Sequence, residues 1–199
     1  MTVTDILVFI FLLIFVMIRV NFIIKSRRHK IRKETRVPFA HVVAATSTTI
    51  LIFLGFILTI FHYTEPLIRF RVVTFTTEFS LIIGFLLIFL GLTLFYLSHR
   101  ALGTLFSVEV QLKHEHKLIT TGPYSYIRNP LYTSTFLMMG GLIIIYMNIL
   151  LLIPLTMGVY GFYTMAKKEE RMLESAFQEQ YPSYKKRTGM FLPKLSSRE

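Results

Sequence analysis

Cysteine and tryptophan are absent from this 199-residue chain, and acidic side chains are scarce: 11 Asp and Glu face 22 Lys and Arg. Without a thiol there is no disulfide, no thiolate metal site and no cysteine nucleophile, and the redox compartment leaves no trace. A zinc site is not signalled either. His114-Glu-His116 lacks the i, i+4 spacing that puts two imidazoles on one helical face, and reads as interfacial polarity. What the chain has in excess is apolar surface. Hydrophobic residues make up 53% of it, with 19 Phe, a composition that points to an integral membrane protein. In a soluble protein the net charge of +11 would suggest nucleic acid. Here the placement of the bases explains it, and no nucleic-acid partner is expected.

The apolar residues fall into runs. Ile6 to Ile24 is nearly unbroken, and 19 residues at about 1.5 Å each come close to a hydrocarbon core of about 30 Å. It does not read as a signal peptide, because Asp5 rather than a base precedes it and no small-residue cleavage site follows. Arg19, near its end, is expected to snorkel to the interface. Ala40 to Phe61 and Thr76 to Leu97 are second and third spans, the third with Gly84 and Gly91 on one face for close helix packing. Leu131 to Tyr146 and Ile149 to Met165 meet at Met147-Asn148 and read as a helical hairpin. Gly140, Gly141, Pro154, Gly158 and Gly161 would let that pair bend and pack.

Five spans place residues 25–36, 98–130 and the C-terminal tail on one side of the bilayer. Those regions hold seven, four and eight bases respectively, 19 of the 22. By the positive-inside rule that side is cytoplasmic and the N-terminus is outside. The run from Lys25 to Arg36 then lies against anionic lipid. The expected fold is all-α and polytopic, with about five transmembrane helices and a cytoplasmic C-terminal helix completing a cofactor pocket. Residues 1–97 form the first three helices. Residues 98–199 form a cofactor-binding region with the hairpin and C-terminal helix, all in one integrated domain.

The chain is organised around His116-Lys-Leu-Ile-Thr-Thr-Gly-Pro-Tyr-Ser-Tyr-Ile-Arg-Asn-Pro-Leu-Tyr132, its longest polar and aromatic stretch. Gly122-Pro123 reads as a turn, and Arg128-Asn129-Pro130 as a second break, since the residue before a proline avoids helical geometry. Irregular backbone leaves amides and carbonyls free to bind, while Tyr124, Tyr126 and Tyr132 supply flat faces with polar tips. An aromatic belt at the membrane interface is the alternative.

Lys167 to Tyr181 reads as a helix ended by Pro182. At about 100° per residue Met172, Leu173, Ala176 and Phe177 form an apolar stripe with Glu169 at its centre. Glu170 falls at its edge and Arg171 outside. A carboxylate amid apolar side chains is costly without a partner. Either Lys168 or another base pairs with it, or Glu169 accepts hydrogen bonds from a polar or cationic ligand.

Taken together, His116 to Tyr124, Arg128-Asn129-Pro130-Leu-Tyr132, Lys168-Glu-Glu170, Phe177-Gln-Glu-Gln-Tyr181 and Thr188-Gly-Met-Phe-Leu-Pro193 resemble the signature of the isoprenylcysteine carboxyl methyltransferase and phospholipid methyltransferase superfamily. The likeness runs over roughly residues 95–195, and the first two helices match only in character. It implies a membrane enzyme that binds S-adenosylmethionine at the cytoplasmic face and methylates a lipid-like or prenylated acceptor. By position, His116, Lys117, Leu118 and Ile119 would line the cofactor and Tyr124 would pack on it. Asn129, Pro130, Leu131 and Tyr132 would wrap it, and Glu169 would hold its polar end. Gln111 lies near a further family contact.

Two positions depart from the family pattern. Asn129 stands where the family has His; its amide still donates and accepts but cannot titrate near neutral pH. Met165 stands where the carboxyl methyltransferases place a substrate-holding Arg, one turn before Glu169, with Lys168 the nearest base. Met165 and Lys168 are therefore the expected acceptor-binding positions, and a carboxylate acceptor lacks its usual partner. An amine acceptor would need a general base such as Glu170 or a tyrosine. Phospholipid-amine methylation and, more remotely, an NADPH-dependent sterol or steroid reductase are the alternative activities.

Overall fold

The computed structural model describes residues 3–30, 77–102, 118–147 and 149–194. The expected second span at 40–61 and the site residues Gln111, His116 and Lys117 lie outside them. Within them the chain is helical, with five α-helices: α1 Val3–Lys30, α2 Thr77–Leu102, α3 Pro130–Tyr146, α4 Leu152–Ala176 and α5 Gln180–Arg187. By length and composition, Val3–Phe22 and Glu78–Leu102 are apolar enough to cross a membrane, and Pro130–Tyr146 is a shorter apolar helix. The large side chains they turn outward suit lipid rather than water, among them Phe9, Leu13 and Met17 on α1 and Phe79, Leu86 and Phe89 on α2.

Ring contacts fix the directions. Phe11 meets Phe85, Phe15 meets Phe95 and Phe22 meets His99, so α1 and α2 run parallel. The glycines fix α3 antiparallel to α2. A Cβ on Gly91 would lie 2.8 Å from the Ser134 carbonyl, and one on Gly141 would lie 2.6 Å from the Gly84 carbonyl. Small residues let these backbones approach closely, as their spacing in the sequence predicts. The core of Val8, Leu12 and Phe15 from α1, Ile88, Leu92 and Phe95 from α2, and Met138, Leu142 and Ile145 from α3 fills the space between.

Two sequence expectations need correction. Gly141 serves the contact with α2, and among the described residues nothing lies within 4 Å of a Cβ on Gly140 or Gly161. Of the four glycines only Gly158 faces the other arm of the hairpin, where a Cβ would lie 3.9 Å from Met139 Sδ. The hairpin itself forms. Met147 adopts φ 47°, its N–H bonds to the Ile143 carbonyl at 2.7 Å, and this left-handed cap ends α3. The fifth span and the tail helix are a single helix, because α4 runs unbroken from Leu152 to Ala176. It stops at Phe177, and Pro182 does not end it. Pro182 sits in the first turn of α5, where its missing N–H costs no helical hydrogen bond.

Candidate functional site

The loop between Leu118 and Pro130 is held by the C-terminal tail. Gly122 turns with φ 61°, a conformation open to glycine, and Gly122–Ser125 forms one turn of 3-10 helix. The backbone N–H of Arg128 donates to the Gly189 carbonyl (2.8 Å) and that of Gly189 to the Tyr126 carbonyl (3.1 Å). The Asn129 N–H donates to the Met190 carbonyl at 3.1 Å, its side-chain amide to the same oxygen at 3.3 Å, and the Thr133 hydroxyl to the Phe191 carbonyl at 2.6 Å. Gly189 is obligatory here, since a Cβ would collide with the Leu192 carbonyl. The Tyr184 hydroxyl donates to the Tyr124 carbonyl at 2.8 Å.

A buried ion pair locks the arrangement. Arg128 Nε lies 2.7 Å from Glu170 Oε1, with the two side chains 10% and 5% exposed. The Arg128 guanidinium also donates to the carbonyls of Lys185 and Thr188, and Lys185 Nζ reaches the other Glu170 oxygen at 3.5 Å. Glu170 is therefore engaged on both oxygens. Helix periodicity gave no hint of this, because the partner lies 42 residues away. The inward line of α4 is Gly158, Phe162, Ala166 and Glu170, a turn apart each time, with Met165, Glu169, Met172 and Leu173 half-buried beside it. Glu170, not Glu169, is the more deeply buried carboxylate.

Glu169 stands apart from that lock. It accepts a hydrogen bond from the Tyr132 hydroxyl at 2.8 Å, and among the described residues it makes no ion pair. Lys168 is exposed and does not pair with it. Burial pushes the Glu169 carboxyl up to about 7, against the Tyr132 hydrogen bond, which pulls it down. Tyr132 is stacked on Phe162 with ring centroids 4.8 Å apart, which aims its hydroxyl. The buried Tyr124 lies close enough for the Glu169 charge to bear on it; burial first and that charge second push its hydroxyl up.

Tyr124, Tyr132 and Glu169 therefore converge. Leu118 and Ile119 are half-buried on the same loop, and at the start of α3 Pro130 is buried and Leu131 half-buried. Asn129 is tied by its amide to the tail. Met165, half-buried, lies one turn before Glu169 on α4. Sequence reasoning quoted Arg128 and Thr188–Phe191 as motif residues but gave them no role, and it passed over Tyr184; these residues hold the loop in place.

A profile of the phospholipid methyltransferase family matches residues 79–180. The chain is 30% identical over 120 residues to the protein-S-isoprenylcysteine O-methyltransferase of Saccharomyces cerevisiae, covering 59% of this chain and 50% of that protein. It is 36% identical over 81 residues to the nickel-cobalt-cadmium resistance protein NccN of Alcaligenes xylosoxydans xylosoxydans, covering 40% and 38%. Its fold is similar to that of a solved eukaryotic intramembrane Ras methyltransferase, isoprenylcysteine carboxyl methyltransferase. The TM-score is 0.53 at 24% identity, over 83% of this chain and 56% of the other. The chain thus spans half or less of the curated relatives' lengths.

Proposed function

The chain belongs to the phospholipid methyltransferase family, and from that premise we propose that it binds S-adenosylmethionine against Glu169 and transfers its methyl group to an amphipathic, lipid-like acceptor. One observation carries the reading. Glu169 is a carboxylate with a neutral tyrosine hydroxyl as its only hydrogen-bond donor and no cation beside it among the described residues. A positively charged ligand lowers the cost of ionising it, and the group named here carries positive charge. The donor set therefore fits: a carboxylate for charge, and two tyrosines and a proline for apolar contact.

Glu169 would hold the polar, cationic end, with Tyr124, Pro130, Leu131 and Tyr132 against the rest. The expected participation of Gln111, His116, Lys117, Leu118, Ile119 and Asn129 rests on the family pattern. When bound, S-adenosylmethionine supplies a methyl group already activated by its sulfonium charge. The protein's part is alignment and exclusion of water. Tyr132 orients the Glu169 carboxylate, Phe162 orients Tyr132, and the Arg128–Glu170 lock fixes the loop against α4.

The acceptor side faces Met165 and Lys168, one turn and one residue before Glu169. The far ends of α1, α2 and α4 and the start of α3 lie at one end of the helices, which supports a site at the cytoplasmic interface with the N-terminus outside and a lipid entering between helices. With Glu170 held by Arg128, a nucleophile that needs no deprotonation suits the site. Isoprenylcysteine-type carboxylates therefore come first and phospholipid amines second. The test is methyl transfer from labelled S-adenosylmethionine by the reconstituted protein, with prenylcysteine and amine-headed lipids offered separately. Transfer to neither, under saturating donor, would defeat the proposal.

A further inference from the structure

At the same end of the helices, Arg19 of α1 and the buried His99 of α2 lie on the faces that pack α1 against α2. Val8, Leu12, Phe15, Arg19 and Phe22 recur at alternating spacings of four and three, which puts Arg19 on the face of α1 that meets α2. The turns on either side of it are docked, Phe15 at 4.7 Å from Phe95 and Phe22 at 4.7 Å from His99. Arg19 is half-buried there, and its charge bears on the buried His99 ring. A base that only needed water would share the exposed face with Met17, Val20 and Asn21. Arg19 does not. Among the described residues no carboxylate pairs with it: the ion pairs there join Arg128 and Lys185 to Glu170 and Glu174. A guanidinium set into helix packing is costly without an anion.

We propose that Arg19, with His99 beside it, forms a subsite for the anionic head group of a lipid, a carboxylate or phosphate. The planar guanidinium fork matches both anions with two parallel hydrogen bonds. The ligand's tail then lies along outward aromatic side chains on the flank of α2 beside His99, Phe89 and Tyr96, which a lipid covers and water does not. As an anchor for an acidic acceptor, the subsite supplies the positive charge that Met165 does not. That role rests on the methyl-transfer reading, whereas lipid binding at Arg19 does not.

The full chain, reconstituted in phosphatidylcholine vesicles doped with phosphatidate or oleate, is extracted and its retained lipid identified by native mass spectrometry. S-adenosylmethionine binding is measured on the same preparations. Wild type should retain anionic lipid in preference to phosphatidylcholine, and Arg19→Gln should weaken that preference by about tenfold, the scale of one charge-assisted contact. Arg19→Lys should keep part of it, and Lys186→Gln, in the exposed basic tail, should keep all of it. Donor binding should survive in Arg19→Gln, which separates this proposal from the preceding one. Equal retention by wild type and Arg19→Gln, or equal loss in Lys186→Gln, would overturn it. Inorganic phosphate competing as well as an alkyl phosphate would overturn the lipid assignment. Should Arg19→Gln fail to fold, wild type decides the matter, since no preference for anionic lipid contradicts the subsite.

Discussion

Replacing Glu169 by Gln should make the protein more stable and, on the proposed reading, weaken binding of S-adenosylmethionine. Burial raises the Glu169 carboxyl from 4.5 to about 7, a change worth about 3 kcal/mol of ionisation free energy. Because the folded-state value is the higher one, the native protein binds this proton more tightly than the unfolded chain. Wild-type stability therefore falls as pH rises from about 4.5 to about 7 and is level above. Gln keeps an acceptor for the Tyr132 hydroxyl but never ionises. Its new amide N–H₂ lacks a partner, which returns about 1 kcal/mol of the gain. The net expectation is a stabilisation of about 1–2 kcal/mol at pH 8, shrinking to nothing or reversing near pH 5. For a chain of this size that is a rise of about 2–8 °C in melting temperature. The assay is thermal unfolding of the ligand-free protein in detergent at both pH values, with S-adenosylmethionine titrated into each variant. Affinity should drop by about tenfold or more, the loss of a charge-assisted contact. A lower melting temperature at pH 8 with unchanged affinity would refute the reasoning and make Glu169 a structural partner of Tyr132.

Glu170→Gln should act in the opposite way. It strips the charge from a buried pair with Arg128 and should cost about 3 kcal/mol or more by thermal unfolding, moving cofactor affinity less than Glu169→Gln does. Gly189→Ala should leave little folded protein, at a cost of about 3 kcal/mol or more read from detergent-solubilised yield and melting, because its Cβ meets the Leu192 carbonyl. Met165→Arg should raise carboxyl methylation of a prenylcysteine analogue by about tenfold, about 1.4 kcal/mol of transition-state stabilisation. No gain alongside strong wild-type activity would show that Met165 is not the missing determinant.

The helices were legible where one physical signal dominates. Uninterrupted apolar length gave the start of α1 to within three residues, although the helix runs six residues past Ile24 into the basic stretch. The seven-residue spacing of Gly84 and Gly91 signalled close packing without naming α3 as the partner. The turn at Met147 was readable because two apolar runs met there. The join between the fifth span and the tail was not. Hydropathy changes sharply near Lys167 while the backbone simply continues, so a change of environment imitated a change of element. Pro182 misled for a related reason: a proline that ends one helix and one that opens the next look alike in sequence. At the site, periodicity singled out Glu169 as a carboxylate in need of a partner, with a base and a ligand both open. The structure gives it the Tyr132 hydroxyl and, among the described residues, no base. Periodicity nevertheless ranked it as more buried than Glu170, because the inward face of α4 is set by contacts to Tyr132 and Arg128 from a distant loop. Such pairings leave no mark on either segment alone.

The central claim is a cationic methyl donor held by Glu169, and calorimetric titration across pH tests it most directly. S-adenosylmethionine should bind the purified protein saturably. Its affinity should be level above about pH 7 and fall about tenfold per unit below, as Glu169 takes up its proton. NADPH should give no signal. Binding of NADPH without S-adenosylmethionine, or donor affinity that is flat from pH 5 to 8, would contradict the account.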